Sequence, residues 1–101
     1  MKQKVFDNYA NAIANEFNLS KKEIFTKKKS GDLVDARQML YYLCMERPMR
    51  ISSIQKFLKK HGYEVGHSTI ISGYKKAKLL IETDSDYLNF VQKINRQNTG
   101  Q

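Results

Sequence analysis

Gly66-His67-Ser68-Thr69-Ile70-Ile71-Ser72-Gly73 opens a stretch in which Ile70, Tyr74, Ala77 and Ile81 recur at intervals of three and four. That spacing predicts an amphipathic helix over residues 66–81 whose apolar stripe rests on a core. The residues at its start, His67, Ser68 and Thr69, are short and polar. They sit at the end of the helix where unpaired backbone N–H groups also point outward. Immediately upstream, Ile51, Ile54, Phe57 and Leu58 mark a shorter helix ending near Gly62. Two helices joined by a turn, residues 51–61 and 67–81, form a helix-turn-helix candidate, a geometry that on its own is common.

The rest of the chain is also helical in pattern. Phe6, Tyr9, Ala10, Ile13, Ala14 and Phe17 predict an amphipathic helix over about 4–18. Ser20-Lys21-Lys22-Glu23 has the form of a capping box, so a short helix carrying Ile24 and Phe25 should follow. Lys27-Lys28-Lys29-Ser30-Gly31 interrupts the periodicity. Asp32 is then the expected N-cap of a third helix, with Asp35 in its first turn facing the positive helix end. Leu33, Ala36, Leu40, Leu43 and Cys44 line one face of that helix, Tyr41 and Tyr42 divide between core and rim, and Pro48 limits it. After the Glu82-Thr83-Asp84-Ser85-Asp86 break, Tyr87, Leu88, Val91 and Ile94 predict a last helix, with a polar, frayed tail at 95–101. No stretch alternates with period two, so the expected fold is all-α: one compact multi-helix domain over residues 1–94.

Eighteen Lys and Arg against ten Asp and Glu give a net charge of +8 and a pI near 9.6. The excess lies upstream of residue 82; the last twenty residues carry two basic and three acidic groups. A field of this sign favours polyanions, nucleic acid before an anionic membrane surface. No apolar run approaches the roughly 18–20 residues that span a bilayer, and the polar residues after Lys4 argue against a signal peptide. The single cysteine, Cys44, has no intrachain partner for a disulfide and fits a reducing, cytoplasmic setting.

Three motifs in order carry a resemblance: Asp35-Ala36-Arg37-Gln38-Met39-Leu40-Tyr41-Tyr42-Leu43, Ile51-Ser52-Ser53-Ile54, and Gly66-His67-Ser68-Thr69-Ile70. Together they resemble the C-terminal DNA-binding domain of the bacterial chromosomal replication initiator DnaA, over residues 5 to 94. In that family an Arg-Gln pair opens a long helix and an Asp-His-Thr-Thr-Val signature opens the recognition helix. The resemblance implies double-stranded DNA as partner, bound sequence-specifically at the cytoplasmic nucleoid. It implies a basic-loop cation at Lys29, beside Lys28, entering the minor groove. Arg37 and Gln38 would meet phosphates and neighbouring bases, and His67, Ser68 and Thr69 would read the major groove. The chain departs from the pattern at Gly66, where the family has an acidic residue, and at Lys29, where it has arginine. Its connector, residues 59–65, is about four residues longer than the family's glycine turn. No phosphate-binding Gly-x-x-x-x-Gly-Lys-Ser/Thr loop occurs, so the expectation is a reader domain without the family's ATPase, from a bacterial or phage-infected cell.

Each candidate also has a plainer reading. His67 can be a turn residue, Ser68 an N-cap, Gln38 a solvated side chain and Lys27–Lys29 a solvated loop. Arg37, placed in the first turn of a helix, is disfavoured there by the dipole, which argues for a phosphate contact. Lys59, Lys60, Lys75, Lys76 and Lys78 are further phosphate candidates, Lys60 and Lys75 foremost, while His61 reads as a helix-end residue. Cys44 lies in an apolar pattern and no carboxylate cluster is evident, so neither catalysis, nor a metal site, nor a cofactor is expected. A small transcriptional regulator of the same fold, a homodimer of it, or a helical adaptor with a protein partner in a replication or phage assembly remain open alternatives, and membrane association is not expected.

Overall fold

In the computed structural model, which describes residues 2–98, the last two by backbone alone, six helices and no strand are present. They are α1 (Lys2–Glu16), α2 (Lys21–Ile24), α3 (Gly31–Glu46), α4 (Ile51–Lys60), α5 (His67–Thr83) and α6 (Ser85–Asn98). The fold is all-α. α6 continues four residues into the stretch expected to be a polar tail, and residues 99–101 lie outside the described residues.

Local chemistry sets the helix ends. Ser20 and Glu23 close the capping box: Ser20 N–H donates to Glu23 Oε1 at 2.9 Å and Glu23 N–H to Ser20 Oγ at 3.1 Å. α3 corrects one expectation. Its N-cap is Ser30, whose Oγ accepts from Leu33 N–H at 3.4 Å, so Asp32 lies in the first turn and Asp35 beyond it, accepting from the Tyr87 hydroxyl at 3.5 Å. Both residues suit a cap chemically, and the earlier one in the chain takes the role. α4 ends in a Schellman turn: Gly62 N–H reaches Lys59 O and Tyr63 N–H reaches Leu58 O. Gly62 sits at φ +78°, backbone that a side chain makes costly. α1 ends the same way, with Asn18 at φ +54°.

α3 runs through the middle and packs most extensively on α5, with α1 on another side and α4 and α6 completing the shell. Met39, Leu40, Tyr41, Leu43 and Cys44 of α3 are buried, alongside Phe6, Tyr9 and Ile13 from α1 and Ile54 and Leu58 from α4. Each large apolar side chain removed from water in this way stabilises the fold by about 1.5–3 kcal/mol. Tyr42 remains at the rim, stacked on Tyr74 with centroids 5.6 Å apart. Tyr74 is only partly buried, its hydroxyl donating to Glu46 at 2.5 Å, a bond that pushes its pKa up to about 12. Leu88 is 40% exposed, and Phe90 takes the core place on α6 instead. Among the described residues no helix is long and apolar enough to cross a membrane.

Candidate nucleic-acid interface

α5 is held by its apolar stripe: Ile70, Ala77 and Ile81 are buried, while His67, Ser68, Thr69, Ile71, Ser72, Lys75 and Lys76 are exposed. Gly73 sits in the same seam. A Cβ placed there would lie 2.6 Å from Cδ2 of the buried Tyr41 ring. The missing methyl lets α3 and α5 approach closely, and the Tyr41 ring occupies the space. Its hydroxyl is sealed from solvent near Tyr63, and burial first, with Tyr63 adding to it, pushes its pKa up.

The helix starts at Gly66, which contributes backbone only, and no side chain caps the first turn. Ser68 is therefore not the N-cap. His67, Ser68 and Thr69 occupy the first three helical positions, where backbone N–H groups lack intrahelical acceptors. Polar side chains and free amides thus share one exposed helix end, which carries the positive half of the helix dipole.

Beside it runs an open groove of about 370 Å³ between α3, α5 and the connector. Ser68, Thr69, Ser72 and Lys76 form one wall and Lys29 and Gln38 the other, with the buried Arg37 and Tyr41, and Tyr63, also lining it. Three of these residues are cationic and none is acidic. Lys29, thirty-eight residues or more from the α5 residues in sequence, is thus brought to the same groove as Ser68 and Thr69. Lys28 is exposed but does not line it, and His67 lies at the helix start outside its walls. Lys75 borders a neighbouring concavity with Ser68, Ile71, Ser72 and Lys76.

Two expected contacts are placed differently. Arg37 is 6% exposed and inside the structure: Nε donates to Ile24 O at 2.8 Å, Nη2 donates to Thr26 O, and the guanidinium lies 5.1 Å from the Tyr63 ring centroid. It stands in the second turn of α3, so the dipole argument for a phosphate role does not apply to it. Its charge is engaged by the last carbonyl of α2, at Ile24, which helix geometry leaves without an N–H partner, and by the Thr26 carbonyl two residues beyond the helix. Lys60 is not in the groove; α4 turns its C-terminal end to α1, and Lys60 donates to Gln3 Oε1 at 2.7 Å. Next to it His61 meets Asp7 at 3.2 Å and stacks on Phe25 at 4.3 Å, the helix-end role expected of it.

Sequence reasoning missed Ser72 and Tyr63 as groove residues. Ser72 was readable, because Ser68, Ser72 and Lys76 follow at intervals of four on one helical face. Tyr63 carried no local signal. Away from the groove, Cys44 is fully buried, and burial pushes its thiol pKa up.

Comparison with known proteins places the chain in a family. Residues 7–77, from α1 into α5, match a family described as the bacterial dnaA protein helix-turn-helix. Over 85 residues the chain is 31% identical to the chromosomal replication initiator protein DnaA of Aliarcobacter butzleri (strain RM4018). The match covers 83% of this chain and 18% of that protein, so the chain spans less than a fifth of its relative's length.

Proposed function

The chain belongs to the bacterial DnaA helix-turn-helix family, and from that premise we propose that it binds double-stranded DNA and discriminates sequence with the start of α5. One observation carries the reading: Ser68 and Thr69 sit exposed at an uncapped helix start and share an acid-free groove with Lys29, Gln38 and Lys76. With α5 in the major groove, His67, Ser68 and Thr69 meet base edges. A neutral imidazole offers one donor and one acceptor, a hydroxyl offers both, and the threonine methyl suits a thymine methyl. The free amides of the first turn and Lys75 and Lys76 meet phosphates along one strand. Lys28 and Lys29 reach across the groove to the backbone or minor groove on the other side.

Arg37 is left out of the contact set, since it is 6% exposed and its Nε and Nη2 already donate to backbone carbonyls. Four exposed lysines, Lys28, Lys29, Lys75 and Lys76, set the electrostatic component. Log affinity should fall with log salt at a slope of about −3 to −4. Selection from a random duplex pool, followed by titration of the recovered site, tests the reading. His67→Ala or Thr69→Ala should lose about 1–3 kcal/mol on the selected site and little on random duplex. Equal losses on both duplexes reject sequence discrimination, and no duplex shift at about 50 mM salt rejects DNA binding and favours a protein partner.

A further inference from the structure

The connector between α4 and α5 has a feature the DNA-binding reading does not use. Three segments distant in sequence converge on the Arg37 guanidinium. The end of α2 and the turn after it supply the carbonyls of Ile24 and Thr26, α3 supplies the arginine, and the connector lays the Tyr63 ring over it. We infer that Tyr63 is a positioning residue for the basic loop, acting through Arg37, and that the long connector thereby ties the loop to the start of α5. The inference rests on the proposed DNA-binding role for its functional meaning, but its structural content stands apart from it.

Lys27, Lys28 and Lys29 follow Thr26 directly and are followed by Ser30, the N-cap of α3. The loop is therefore strung between two fixed points. Ser30 Oγ holds one end through Leu33 N–H, and Arg37 holds the other through the Thr26 carbonyl. The Ile24 and Thr26 carbonyls hold the guanidinium from one side. Tyr63 closes the open side, and a cation over an aromatic face is attracted by the ring quadrupole, more strongly when water is excluded. Arg37 is 6% exposed, so water is largely excluded here.

Tyr63 is itself well anchored. Its N–H donates to Leu58 O at 3.1 Å in the Schellman turn. Two residues on, Val65 O accepts from Gln55 Nε2 at 2.8 Å, and α5 begins immediately afterwards at His67. One short run of chain thus fixes the ring over Arg37 and delivers the first turn of α5. A change in the connector moves both sides of the groove together.

The experiment is a double-mutant cycle on the full chain. Lys29→Ala alone should lower the magnitude of the salt slope by about one. Tyr63→Ala should produce the same loss and make Lys29→Ala silent when the two are combined. Tyr63→Leu, which keeps bulk without a π face, should behave as Tyr63→Ala, and Tyr63→Phe as the parent. Additive losses overturn the inference, because they mean Tyr63 touches DNA on its own account. Loss in Tyr63→Phe equal to that in Tyr63→Ala also overturns it. A second arm needs no DNA: the Phe25 and Thr26 amides, bonded to Lys22 O and Glu23 O, should exchange several-fold faster in Tyr63→Ala, with α3 amides unchanged. Unchanged exchange at Phe25 and Thr26 overturns the coupling. If the parent binds no duplex while this exchange effect is present, the coupling stands and the DNA reading alone falls.

Discussion

Arg37 and Lys29 line the same groove, eight residues apart in sequence, and belong to two differently built regions. The floor, Tyr41, Gly73 and Arg37, is sealed: ring against glycine, and a guanidinium engaged by two carbonyls and an aromatic face. The rim, Lys29, Ser68, Thr69, Ser72 and Lys76, is exposed. Cations of identical formal charge therefore do different work. In the floor the charge fixes where backbone segments lie; at the rim it faces whatever approaches.

That contrast is open to direct attack, beginning where the effect is largest. Arg37→Ala leaves the Ile24 and Thr26 carbonyls short of donors and opens a space beneath Tyr63. Hydrogen bonds from charged groups are worth about 1.5–3 kcal/mol each, so urea unfolding should show a loss of about 3 kcal/mol. A folded, equally stable Arg37→Ala with a flattened salt slope would place Arg37 on the rim after all. Gly73→Ala comes next. The added methyl lies 2.6 Å from the Tyr41 ring, and overpacking of this kind costs about 1–3 kcal/mol, offset by up to ~1 kcal/mol of helix propensity. Calorimetry should therefore show a lower Tm, and an unchanged one would mean the seam is slack. Smallest in stability is Lys76→Ala, expected within about 0.5 kcal/mol of the parent, with its effect confined to a salt slope reduced by about one. A stability loss as large as that of Gly73→Ala would erase the distinction.

How much of this was readable in the sequence follows from the range of the forces involved. Capping residues act over three positions, so Ser20–Glu23 predicted α2, and Gly62 predicted the end of α4. Periodic burial predicted α1, α3, α4 and α5, since each stripe is a local property. Ser30 and Asp32 compete for one cap within two residues, and pattern alone does not decide between them. The resemblance to the DnaA family brought Lys29, Gln38, Ser68 and Thr69 together as candidates, and these four line one groove. It did not disclose that Arg37 is buried, because a charge reads as exposed until its partners are known, and those partners lie eleven and thirteen residues away, at the end of α2 and just beyond it. The Lys60 contact was hidden for a similar reason, its acceptor on Gln3 being fifty-seven residues distant. Tyr63 is the extreme case: an aromatic in a loop announces no role until the segment beneath it is located.

Cys44, sealed in α3, has a practical consequence at the bench. The thiolate is the reactive form, and a buried thiol with a raised pKa supplies almost none of it to a reagent in solution. A sulfur introduced at Ser72, on the open wall of α5, would therefore take up a maleimide dye alone, with the native residue left in place. The fluorescence of that single dye would then register the approach of any macromolecule to the helix surface.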